Sequence, residues 1–136
     1  IKLSNILSFK ERFVNYIYKP DLHFLSQQDN LIIDELKSYS SLDNCMDLFT
    51  YDASILYLLR KKSCTKYYFV NSLGSQNNQK KFIKEIKLKT KYIITNGKTD
   101  YWDPIHKKYP LVNDFISKNF YLYKDVSYKI MKMKSN

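Results

Sequence analysis

Glycine and proline are scarce, with two and three residues respectively in a chain of 136. So few turn formers argue against a domain built from loops. They also exclude a phosphate-cradling fingerprint, which needs several glycines so that backbone can approach the phosphate. Arginine stands only at Arg12 and Arg60. It supplies most bidentate contacts to phosphate and guanine, so nucleic acid is not an expected partner despite a formal net charge of +10. No run approaches the ~20 apolar residues that cross a bilayer, and a mean hydropathy of −0.48 excludes an integral membrane piece. The two cysteines, Cys45 and Cys64, have no CxxC spacing and no second pair with which to build a zinc site. There is no GxSxG elbow, and no histidine is placed by sequence as a base for either thiol. The chain opens on Ile1 without a signal-peptide pattern, which reads as an excised or processed fragment.

What is present suits one domain of average length. With 44% hydrophobic and 26% charged residues, such a chain buries roughly two thirds of its unfolded surface and needs no metal to fold. Basic residues outnumber acidic ones, 23 to 13. Most of that lysine is expected to be solvated surface. It also suits a position near anionic head groups.

Along the chain, residues 1–25 read as a linker or membrane-proximal segment and 26–136 as a single α/β domain. Ile6, Phe9, Phe13, Tyr16 and Ile17 have helical spacing, stopped before Pro20. Ser26 is a candidate N-cap, with Asp29 in the first turn of a helix running to about Tyr39. Cys45–Thr50 is a short buried strand, and Asp52 is expected to cap a helix from Ala53 to about Lys62. The unbroken run Tyr67, Tyr68, Phe69, Val70 predicts a second strand over 66–71, covered on both faces as in a parallel sheet. A third helix follows from Gln76 to about Lys89, then a strand over 91–95 and a turn at Asn96-Gly97. Residues 98–109 read as a polar and aromatic loop. Pro110 suits the first position of a short helix, and strands over 121–124 and 128–133 form a closing hairpin. The expected fold is a small layered α/β sandwich: a mostly parallel sheet, helices on both faces and a C-terminal antiparallel hairpin.

If the first two strands are parallel neighbours, Cys45 and Cys64 start them at one end of the sheet. They are then either a bridge, which implies an oxidising compartment, or two unrelated buried thiols. Asp52 and Asn96 follow strands, where α/β proteins place ligands, although both are ordinary cap and turn residues. Asp100, Trp102, Asp103 and His106 bring carboxylates, an indole and an imidazole into one loop, with the look of a sugar-binding corner. Their spacing matches no metal motif, so neither a metal nor a cofactor is expected. His23 is isolated and reads as structural or exposed.

Three stretches carry a family likeness: Cys45-Met46-Asp47-Leu48-Phe49-Thr50, Ala53 through Leu59, and Lys62-Ser63-Cys64-Thr65-Lys66-Tyr67-Tyr68-Phe69. Further on, Lys89-Thr90-Lys91-Tyr92-Ile93-Ile94 and the stretch from Tyr109-Pro110-Leu111-Val112-Asn113 to Asn119-Phe120 continue it. In order and spacing these resemble the C-terminal soluble domain of bacterial polytopic GT-C type membrane glycosyltransferases that use polyprenyl-phosphate sugars. That group is broadly related to the protein mannosyltransferases and aminoarabinose transferases. The likeness covers about residues 28–131. The sequence departs from it at Lys66, where arginine is usual, and in lacking a proline before Lys91.

The resemblance implies that catalysis lies elsewhere in the parent protein and that no residue here is catalytic. It implies an accessory domain on the extracytoplasmic side of the bacterial inner membrane, as the tail of a multipass protein. Its partners would be the membrane-embedded part of the same polypeptide, with lipid-phosphate head groups or a glycan acceptor as ligands. Asp52, Thr65, Lys66 and the 100–106 loop are the residues to test. The alternative is a structural or protein-interaction module of a membrane protein with no ligand of its own.

Overall fold

The computed structural model describes residues 25–95 and 103–135, together with Val14 and Lys19. Two units share the chain, Ile1–Leu31 and Ile32–Asn136, and the whole sheet lies in the second. Helix α1 (Gln27–Ser40) begins as its sequence predicts. The Ser26 hydroxyl accepts the Asp29 amide at 3.1 Å and donates to the Asp29 carboxylate at 2.6 Å, which satisfies an orphan donor of the first turn. The helical spacing over residues 6–17, His23 and the Asn96-Gly97 turn lie outside the described residues.

Among the described residues the other elements are β1 (Asp47–Phe49), α2 (Ser54–Leu58), a 3-10 turn (Val70–Leu73) and α3 (Gln76–Lys89). They continue with β2 (Tyr92–Thr95), α4 (Ile105–Lys108), α5 (Pro110–Asn119), β3 (Phe120–Asp125) and β4 (Lys129–Met133). The four strands form one sheet in the order β1-β2-β4-β3. Only β1 and β2 are parallel, with Leu48 opposite Ile94. The neighbours β2–β4 and β4–β3 are antiparallel.

The mostly parallel sheet is therefore overturned, and the residues that mislead are Tyr67–Val70. They form no strand. Tyr67 and Val70 are buried while Tyr68 is 70% exposed and Phe69 36%. That is a three-residue turn spacing, which an unbroken apolar run conceals because a short run has no readable period. The place beside β1 goes instead to β2, whose other neighbour is β4. Cys45 and Lys62 form an isolated parallel bridge, ahead of the expected 66–71 strand.

Helix α2 is also shorter than expected. Its end is set by Arg60, which adopts a left-handed backbone at φ 53°. The Arg60 amide donates to the Tyr57 carbonyl and the Lys61 amide to that of Leu56, the Schellman pattern that closes a helix. By contrast α3 and α5 match their sequence limits closely. Ser75 caps α3 by accepting from the Asn78 amide at 3.1 Å, and Pro110 opens α5. The next amide of α5, Leu111, has no intrahelical acceptor and donates to the buried Gln79 side chain at 3.2 Å. The segment 105–108, expected as loop, makes the short helix α4.

Phe82 and Ile86 of α3, Val112 and Ile116 of α5 and Ile93 of β2 pack in one cluster with Phe49 and Tyr109. Phe49 meets Tyr109 edge to face at 6.4 Å. Alternation along the strands turns Leu48, Ile94 and Ile130 to the other face, where they too are buried. Register slips between Leu122 and Lys124 of β3, a bulge that leaves Tyr123 as the extra residue. There Lys132 lies over the rings of Tyr92 and Tyr123.

Candidate functional site

The one parallel pair decides where a site forms. Phe49 and Thr95 are register partners at the carboxyl ends of β1 and β2, and β4, running antiparallel to β2, starts beside Thr95 at Lys129. Helices α4 and α5 come over this edge. They leave a pocket of about 320 Å³ whose apolar walls are Phe49, Ile105, Ile116 and Met131. Its polar walls are Thr95, His106, Asn113, Ser117 and Lys129. The Ser117 hydroxyl donates to the Asn113 carbonyl at 2.9 Å and that of Thr95 points to the Lys129 carbonyl at 3.5 Å. Among the described residues the side chains of His106 and Asn113 make no hydrogen bond, so their donors and acceptors remain for a ligand.

Two residues past Phe49, Tyr51 meets the segment that carries α4. Its hydroxyl donates to Asp103 at 2.9 Å, the Lys108 ammonium donates to the same carboxylate at 3.1 Å, and that ammonium also lies over the Tyr51 ring. Burial, then the Asp103 hydrogen bond, pushes the Tyr51 phenol up to about 12. The Lys108 and Tyr51 hydrogen bonds hold Asp103 below the usual carboxylate range, and Asp103 in turn holds Lys108 above the usual lysine value. The stability linked to Asp103 is present above the ordinary carboxylate pKa and is lost as pH falls through the lowered one. That linked to Tyr51 and Lys108 is present below their ordinary values and is lost as pH rises through the raised ones. With tyrosines labelled at Cζ, NMR titration should find Tyr51 ionising near 12, and Asp103→Ala should bring it down while leaving it above 10. A Tyr51 midpoint at 10 in the parent chain would contradict this arrangement.

A second cluster was hidden in the sequence. Asp47, inside the apolar stretch of β1, is fully buried. One carboxylate oxygen accepts from the Ser63 hydroxyl at 2.6 Å, the Thr65 hydroxyl at 3.0 Å and the Thr65 amide at 3.2 Å. The other accepts from the Thr90 hydroxyl at the end of α3. Only neutral donors surround it, and every hydroxyl there is occupied. This is a fastening between β1, the 63–65 segment and α3. Its signal in the sequence is one carboxylate between Met46 and Leu48.

The residues singled out from sequence fall in different places. His106 reaches the pocket. Asp103 lies two residues before α4, bound to Tyr51 and Lys108. Asp52 accepts from the Tyr128 hydroxyl at 3.0 Å, while α2 has Ala53 at its N-cap position without a side-chain cap. Thr65 is buried with its hydroxyl on Asp47. Lys66 is exposed, its ammonium 3.8 Å from Glu85 and over the Tyr67 ring. Cys45 and Cys64 form a disulfide with Cα atoms 5.0 Å apart. Asn96, Asp100 and Trp102 lie outside the described residues. Asn113, Ser117 and Lys129 were missed as site residues. Asn113 and Ser117 lie one turn apart on α5, but Lys129 joins them only through the antiparallel pairing.

Among the described residues no group of three His, Cys, Asp or Glu could hold a metal ion, and no helix is long and apolar enough to cross a membrane. No protein-family model and no curated protein matches the chain. One solved structure does. It is the C-terminal globular domain of an oligosaccharyltransferase from Archaeoglobus fulgidus, 17% identical, with 81% of this chain and 99% of that one covered at a TM-score of 0.42. A likeness that distant carries no statement of what this chain binds.

Proposed function

We propose that the chain is a non-catalytic accessory domain of a membrane glycosyltransferase, and that its pocket holds one unit of a glycan acceptor. The pocket carries the reading. A pyranose presents an apolar C–H face and a rim of hydroxyls, and the site offers Phe49, Ile105 and Ile116 to the first and His106, Asn113 and Lys129 to the second. Its volume, about 320 Å³, is at the lower end for ligand sites and suits a single sugar rather than an extended chain. The sequence resemblance supplies the reaction class: transfer of a sugar from a polyprenyl-phosphate carrier to a cell-envelope acceptor. The disulfide supports an extracytoplasmic position, where such bridges persist.

The test is steady-state transfer by the membrane enzyme carrying this domain, with Asn113→Ala and His106→Ala introduced together. Losing two hydrogen-bonding groups should raise the acceptor KM by about tenfold, with kcat within about twofold. An unchanged KM would remove the pocket from recognition. A large loss of kcat at constant KM would mean that the domain takes part in the chemistry. The exposed neighbours Tyr68 and Phe69 favour a second reading, a module that braces a membrane partner and binds no sugar. The unchanged KM is its expected result.

A further inference from the structure

At the opposite end of β4 from the sugar pocket, the structure forms a larger cleft of about 750 Å³. Lys87 from α3, Lys118 from α5 and Lys134 after β4 line it, over Phe115 and Met133. Lysines in the last turn of a helix ordinarily answer the helix dipole, and Lys87 and Lys118 are so placed. Each helix end supplies only about half a negative charge, however, so three ammonium groups against two ends leave roughly two positive charges unbalanced. Among the described residues none of the three has a carboxylate within ion-pair distance, and Asp114, one turn before Lys118, does not pair with it. Two of the amines are also held in place. Lys87 lies over the Phe115 ring, 5.3 Å from its centroid, and Lys134 donates to the Lys118 carbonyl at 2.7 Å.

We propose that this cleft binds a phosphate group, with Lys87, Lys118 and Lys134 as its ligands and Phe115 and Met133 meeting an attached apolar portion. A phosphate dianion matches the charge left over, and each ammonium has donors to spare. Arginine's fork is not needed, because three point charges converging on one concavity do not depend on bidentate geometry. The site is separate from the sugar pocket and does not require it.

Two probes distinguish a free phosphate compound from a lipid head group: inorganic pyrophosphate, and vesicles of phosphatidylcholine with or without phosphatidic acid. Amide NMR shifts should concentrate at residues 87, 115, 118, 119 and 133–135. Lys87→Ala with Lys118→Ala should weaken binding about tenfold or more, because both removed charges act at short range. Lys80→Ala with Lys81→Ala, which removes the same net charge from the exposed face of α3, should change it less than twofold, since distant surface charges are screened. Localised binding of pyrophosphate supports the site for free phosphates. Localised binding of acidic vesicles alone supports it for a lipid head group. Shifts scattered over all lysines, equal weakening by both pairs of substitutions, or no binding to either probe would overturn it.

Discussion

Asp47→Ala is expected to lower the unfolding free energy by about 4 kcal/mol, a large part of the ~5–15 kcal/mol that holds a domain together. Four hydrogen bonds from Ser63, Thr65 and Thr90 end on this carboxylate. Bonds to a charged acceptor are worth roughly 1.5–3 kcal/mol each, and orphaned buried donors keep their desolvation cost. The sum is not reached, because Ser63 is half-buried and can turn to water. Asp47→Asn should cost about half as much: it keeps the shape and one acceptor oxygen, and the Thr90 hydroxyl can rotate to accept from the new amide. Urea unfolding at constant m-value measures both. A loss below about 1 kcal/mol for Asp47→Ala would show that the carboxylate is not a fastening, since each bond alone exceeds that.

Reduction of Cys45–Cys64 should cost about 3 kcal/mol, chiefly by releasing a 19-residue separation in the unfolded chain. The two effects meet on one segment. Cys64 lies between Ser63 and Thr65, so both the bridge and Asp47 fix it against β1. Once Asp47 is gone that segment is already loosened, and the bridge then has less native order to preserve. The combined loss in reduced Asp47→Ala should therefore fall short of the two separate losses added by about 1 kcal/mol or more, as expected of groups sharing a partner. Thermal unfolding with and without reductant checks this. A melting temperature indifferent to reductant would contradict the stabilising role of the bridge.

What could be read from the sequence follows from how local each signal is. Ser26, Pro110 and the stripe of Phe82, Ile83 and Ile86 set helix ends and faces through neighbours within one turn, and those helices stand close to their predicted limits. The hairpin was equally local. The sheet was not. Tyr67–Val70 is apolar enough for a covered strand, yet its residues divide between core and solvent, and only the tertiary arrangement shows which. Without that strand β1 pairs with β2, and one parallel and two antiparallel pairings leave the sheet mostly antiparallel. His106 was visible because imidazoles are rare in this chain. Lys129 was not, since nothing in a lysine-rich sequence marks the one lysine that pairing brings beside Thr95.

The most direct test of a sugar-recognising domain is a saccharide titration of the folded chain followed by amide and methyl NMR. The expected result is saturable shifts at Thr95, Ile105, Asn113, Ser117 and Met131, reduced about threefold in affinity by Asn113→Ala, the loss of about 0.7 kcal/mol expected of one of the two ligand hydrogen bonds. Shifts absent from those residues across neutral, amino and acidic sugars, or unaffected by Asn113→Ala, would contradict it.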